Sequence, residues 1–291
     1  MSDSRTFVFS RRSFMGGLAA TGAASLLPGC RSVCACKGPC SKFGGVQIGV
    51  ITYSYRSMSD KSAEAALKYV VDSGINSIEL MGDVVEKYAG ASLEKVAELR
   101  KMYADAGVGI HIVKFGNIGD KTCTDERMAY YFNVAKALGS KAITREISEE
   151  AARRVGPLAD QHGIKVAFHN HTQINAATYD GPILSYGKNL AINLDIGHYV
   201  AANDDPVLAI IEKYHDRIFS LLLKDRKNKA NKGTNMPFGQ GDTPVVEALQ
   251  RLKKNKWRIY ADIELEYPVP QDSDAVREVA KCVQFCKQAL V

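Results

Sequence analysis

Residues Val96–Val113 read VAELRKMYADAGVGIHIV. Apolar side chains first recur at helical spacing, then crowd into a short run that suits a buried strand. Gly107 stands between the two, where a helix ends on a left-handed residue that glycine adopts without steric cost. The same helix–glycine–strand unit recurs in AALKYVVDSGINSIEL (Ala65–Leu80), YFNVAKALGSKAIT (Tyr131–Thr144) and AARRVGPLADQHGIKVAF (Ala151–Phe168), with Gly74, Gly139 and Gly163 at the junctions. Strands are also predicted in VQIGVITYS, KVAFHNH, LAINLDIGH, RIFSLLLK and IYADIELEY, and DAVREVAKCVQFCKQAL closes the chain as a helix. Eight strands alternating with helical segments predict an α/β fold, a single (β/α)8 TIM barrel over residues 46–291. A doubly wound open sheet would alternate similarly, but would usually carry a glycine-rich phosphate loop after its first strand. Here that segment is ITYSYRSMSD.

The 291 residues, 46% of them hydrophobic, suffice for one substantial core. The net charge of +6 falls further once residues 1–29, with Arg5, Arg11 and Arg12 against Asp3, are set aside. So mild and dispersed a charge gives no reason to expect nucleic acid as a partner. The segment SRRSFMGGLAATGAASLLPGC resembles a twin-arginine export signal: a basic pair, then Phe14, then a weakly apolar run too short to span a bilayer comfortably. Residues 1–29 are therefore expected to be a cleavable or tethering export segment, and residues 30–45 a Cys-rich linker. The expected location is periplasmic or membrane-tethered. LPGC also resembles a lipoprotein processing box, which would make Cys30 a lipidated membrane tether. Cys30, Cys34, Cys36 and Cys40 match no common metal-ligand spacing, and local disulfides or lipidation of Cys30 suit an exported chain better. Cys123, Cys282 and Cys286 read as structural.

In such a barrel the active site lies at the C-terminal ends of the strands, and those ends are polar here. The second predicted strand ends in Glu79, the third contains His111, and the fourth ends in Arg145-Glu146. The fifth gives His169 and His171 on one face with Asn170 on the other, and the sixth gives Asp195 and His198. The seventh ends in Lys224-Asp225, and the eighth carries Glu264 and Glu266 on one face. Singly, each has a plain structural explanation, such as a satisfied core histidine or a solvated ion pair. Together, so many ionisable groups at one rim are costly to bury unless paired, hydrogen-bonded or bound to a metal. Carboxylates with imidazole suit one divalent ion, Mn²⁺, Zn²⁺ or Mg²⁺.

The order IELMG, FHNHT, LDIGHYVAAN, LLLKDR, FGQGDTP and IELEYP, about one motif per βα unit, resembles the xylose-isomerase-like barrels. That superfamily comprises sugar isomerases and epimerases, inosose dehydratases and endonuclease-IV-type nucleases. The resemblance implies a metal held by an acid on the fifth strand, an Asp on the sixth, a His on the seventh and a Glu on the eighth. Asp195 and Glu264 match the sixth and eighth ligands, and His169 stands at the fifth. The seventh motif usually reads His-x-Lys-Asp, but here Leu222 takes the His position and cannot ligate; His169, His171 or Glu146 is expected to supply the missing ligand. The HNH form is similar to the branch acting on keto-sugars and inososes.

The metal candidates are thus Glu146, His169, Asp195 and Glu264. His171, Lys224, His198 and Glu79 are the candidates for acid/base or positioning roles. The expected chemistry is removal of a proton beside a carbonyl, through an enediolate. Export argues against phosphorylated substrates and for a small carbohydrate: a free keto-sugar, a 3-keto-glycoside or an inosose. The alternatives are a non-catalytic sugar-binding barrel with a degenerate metal site and an endonuclease-IV-like hydrolase. The hydrolase would need more histidines than the six present and a basic groove. The long stretch KDRKNKANKGTNMPFGQGD reads as a solvated loop, with a lid as the alternative. Thr243 and Pro244 then read as the N-cap and first position of a helix.

Overall fold

A computed structural model describes residues 38–291. The predicted export segment, the tether at Cys30, and Cys34 and Cys36 lie outside the described residues. A two-residue strand β1 (Lys42–Phe43), within the stretch read as linker, pairs antiparallel with β2 (Val46–Ile51). The wall continues through β3 (Ser77–Met81), β4 (Gly109–Lys114), β5 (Ala142–Glu146) and β6 (Lys165–His169). It is completed by β7 (Leu190–Asp195), β8 (Ile218–Leu223) and β9 (Tyr260–Ile263). Neighbours from β2 to β9 are parallel, and β9 pairs back onto β2, so the predicted eight-stranded barrel is closed.

The outer layer holds α1 (Ala63–Asp72), α2 (Gly82–Ala89), α3 (Leu93–Asp105), α4 (Asp125–Leu138), α5 (Glu149–His162), α6 (Ile196–Ala202), α7 (Val207–Tyr214), α8 (Val245–Asn255) and α9 (Ala275–Leu290). Ser62, Ser92, Thr124, Ser148 and Asp274 each accept a backbone N–H in the first turn of the helix that follows. The four junction glycines take positive φ, from 66° at Gly163 to 81° at Gly74, as the repeat required.

Three local expectations fail for identifiable reasons. Between β6 and β7 there is no α-helix, only 3-10 turns at Thr178–Asp180 and Pro182–Leu184. This connection lies directly on α5, where a Cβ on Gly187 would come within 2.7 Å of the Gly156 oxygen. Pro244 takes the cap position of α8, and the Thr243 hydroxyl instead accepts the Arg226 N–H at 3.0 Å. His111 lies well below the barrel mouth. Its ring nitrogens meet Asp262 Oδ2 and Ser77 Oγ, each at 2.9 Å, and its ring stacks on Tyr260 at 4.0 Å. Gly49 makes room for that network, since a Cβ there would lie 1.9 Å from Asp262 Oδ1.

Candidate active site

Asn170 answers for the polar end of β6. It is fully buried; its Oδ1 accepts the Asp195 N–H at 2.9 Å and its Nδ2 donates to the Asp195 carbonyl at 3.1 Å. The amide thus continues the β6–β7 ladder past the end of β6 and fixes Asp195. Asp195 ends β7 and caps α6, its Oδ1 accepting the His198 N–H at 2.7 Å. His198 therefore sits in the first turn of α6 and not on the strand.

On the other face of β6, His169 Nδ1 meets Asn193 Oδ1 at 3.0 Å. The Asn193 amide nitrogen donates to Glu79 Oε2 at 3.0 Å and Ser220 Oγ at 2.8 Å, so its oxygen is the acceptor. His169 must then carry its proton on Nδ1 and present a lone pair at Nε2. Burial, and then Lys114 and Lys224, hold its pKa well below the ordinary histidine value, so the ring is neutral. Glu79 is fully buried beneath this pair. Burial outweighs the attraction of Lys114 and pushes the Glu79 pKa up to about 8.

Lys224 follows β8, and its ammonium lies 3.0 Å from Asp195 Oδ2, 3.1 Å from Glu264 Oε2 and 2.8 Å from Glu266 Oε2. It also contacts His198 Nε2 at 2.9 Å. Burial opposes its charge, but the three carboxylates prevail and raise its pKa above the ordinary lysine value. Glu264 and Glu266 lie just beyond β9, and Glu266 is part of this cluster, not a solvent-facing group.

A divalent ion fits the donor set. His169, Asp195 and Glu264 each offer a ligand atom, all within 4.8 Å of one another. Asp195 Oδ2 and Glu264 Oε2 are buried with no hydrogen-bond partner and are ion-paired with the Lys224 ammonium. Nitrogen and carboxylate oxygen suit Mn²⁺, Zn²⁺ or Mg²⁺ in differing degree. His169, His171 and His198 form a second such group. Glu146 belongs to neither. Its Oε1 pairs with Lys114 at 3.0 Å and its Oε2 lies 3.5 Å from His171 Nδ1, so it reads as a partner of Lys114 rather than a ligand. Leu222 is fully buried and, being apolar, offers no donor.

His171 is half-exposed at the mouth, 4.9 Å from the rings of both His169 and His198. His198 lies between Lys224 and Arg226, and burial plus these two cations push its pKa down to about 3. The 224–242 stretch is pinned, neither a free loop nor an open lid. Asp225 accepts the N–H groups of Gly239 and Gly241 at 2.8 and 2.9 Å, and Arg226 donates to the Gly233 carbonyl at 2.7 Å. Sequence reasoning missed Lys114, Asn193 and Arg226. Lys114 had a signal, a charge at the end of an otherwise apolar strand.

Residues 67–286 match the xylose isomerase-like TIM barrel family, and the chain belongs to it. Among solved structures it is similar to the probable 3-DHS dehydratase of petrobactin synthesis from Bacillus anthracis, with TM-score 0.64 and 16% identity over 82% of this chain and 98% of that one. It is also similar to D-psicose 3-epimerase from Clostridium cellulolyticum, with TM-score 0.63 and 15% identity over 84% and 99% of the two chains. A third is 3-keto-D-glucoside 4-epimerase from E. coli, with TM-score 0.61 and 14% identity over 83% and 100%. At these identities the likeness speaks to the fold alone. No curated protein sequence matches the chain.

Proposed function

We propose that this protein is an exported, divalent-metal-dependent carbohydrate isomerase, epimerase or lyase. Its substrate would be a free keto-sugar, a 3-keto-glycoside or an inosose, taken up outside the cytoplasm by a chain that is periplasmic or tethered through Cys30. The observation that carries the reading is the buried trio His169, Asp195 and Glu264, with a neutral imidazole and two carboxylate oxygens that accept no hydrogen bond converging at the barrel mouth. That the similar structures include two epimerases and a probable dehydratase lends support.

His169, Asp195 and Glu264 would hold the ion, and when bound it supplies Lewis-acid polarisation of a carbonyl. The chain's own residues supply the rest. Lys224, buried, and Lys114, half-buried, would set two ammonium groups where negative charge develops on substrate oxygens as the proton leaves carbon. His171, open to the mouth with Glu146 behind its Nδ1, is placed to take up or return a proton. His198 stays neutral beside Lys224, and Glu79 acts at one remove, orienting His169 through Asn193.

The test is deuterium uptake at the carbon beside the carbonyl, followed by NMR with Mn²⁺-loaded protein and a 3-keto-glucoside or an inosose. About one ion per chain, lost in Asp195→Ala and Glu264→Ala, with exchange abolished in His171→Ala, is the expected result. No ion and no exchange would sink the enzyme and favour a sugar-binding barrel. The specific observations on that side are Leu222 and the ammonium of Lys224 already lying among the carboxylates.

A further inference from the structure

At the opposite end of the barrel, the N-terminal ends of the strands open into a cavity of about 880 Å³. Lys42, Lys141, Lys165, Lys256 and Arg258 line it, and among the described residues Asp216 is the only carboxylate in its wall. Two further cations there are already engaged: Arg217 donates to the Leu184 and Leu190 carbonyls, and Lys253 to that of Leu290. Charges of one sign around a concave wall reinforce each other's potential.

Basic residues alone would be an ordinary solvated face, but one observation singles this one out. Trp257, the only tryptophan in the chain, is half-buried on the same wall and stacks on His215 at 4.4 Å. An indole with one apolar and one wet side suits a headgroup boundary. Residues 38–41 pack against the edge of the same end of the barrel. Gly38 packs so closely on the α3–β4 turn that a Cβ would lie 2.4 Å from the Ala106 oxygen, and Ser41 bonds the Ile48 carbonyl at 2.7 Å.

We propose that this N-terminal face docks on an anionic phospholipid surface, leaving the candidate active site open on the far side. The charge complementarity stands without the lipid anchor.

The test uses the full chain carrying Cys30→Ala, so that no acyl chain contributes. Co-sedimentation is measured with phosphatidylcholine vesicles, with and without phosphatidylglycerol, at low ionic strength. Binding only to the phosphatidylglycerol vesicles, weakening steeply with salt, is the expected result. Each lost charge near a surface should cost about fivefold, so Lys141→Glu, Lys256→Glu and Arg258→Glu together should weaken binding about a hundredfold or more. A circular dichroism spectrum like that of the parent would show that the triple variant is folded. Absence of binding to anionic vesicles would overturn the proposal. So would undiminished binding by the triple variant, which would assign the effect to Arg5, Arg11 and Arg12. Release by millimolar inorganic phosphate at constant ionic strength would replace the lipid surface with a small anion as occupant. Mass spectrometry of the native chain reads acylation of Cys30 separately, so the anchor and the docking face fail independently.

Discussion

Glu79→Gln isolates one buried charge. Glu79 lies fully buried, with Oε2 on Asn193 and with Oε1, like Thr144 Oγ1, lacking a hydrogen-bond partner. Its pKa rises from 4.5 to about 8 on folding. At 1.36 kcal/mol per tenfold change in acidity, that amounts to about 5 kcal/mol as an upper bound. Because the folded state keeps its proton longer than the unfolded chain, this group's contribution is fully present below about pH 4.5 and is lost as pH rises through about 8. Gln keeps the neutral shape and the acceptor for Asn193 but removes the titration. Urea unfolding of chelator-treated protein at pH 6, 7.5 and 9 should show the wild type losing stability relative to Glu79→Gln by up to about 3 kcal/mol across the series. Parallel stability curves for the two proteins would refute the buried, proton-holding Glu79 and the orienting role given to it.

Lys224→Met leaves Asp195, Glu264 and Glu266 facing one another. Metal-free protein should lose about 3–5 kcal/mol of stability, while Mn²⁺ should bind more tightly and restore the melting temperature. A variant melting like the wild type, with unchanged Mn²⁺ affinity, would show that the ammonium does not hold the cluster. Asn170→Ala removes both hydrogen bonds to the Asp195 peptide and should cost about 2 kcal/mol by urea midpoint. Its Mn²⁺ affinity should fall too, since Asp195 loses its support; full affinity would mean that the strand alone positions the carboxylate.

What was legible in the chain was local. The glycine closing each amphipathic run marked real helix ends, and the alternation of helix and strand gave the closed barrel. Convergence at one rim followed from topology, and the structure sets His169, Asp195 and Glu264 with ligand atoms within 4.8 Å of one another. Partner choice was not legible, because it is made across the barrel between strands far apart in sequence. Nothing near Glu146 announces Lys114, and nothing in LLLKDR says that Lys224 folds back among three carboxylates. His111 sits only three residues before Lys114, enough to place one deep in the barrel and the other near its mouth. Asn170 looked like part of a polar cluster, whereas its work is to complete a backbone ladder. Asp225 stands beside Lys224 in the sequence, but it holds the glycine turn at Gly239–Gly241.

The ammonium among the carboxylates turns ion uptake into an exchange. An ion arriving at Asp195 and Glu264 would gain their attraction only by displacing a cation that the chain itself supplies, so its net gain would be a difference rather than a sum. Sodium or potassium, carrying the same charge as the group it displaces and with a hydration shell to shed, would gain little. An ion of higher valence would still profit. The barrel would thus select by charge before it selects by coordination geometry, and the chain could complete its folding without waiting for metal.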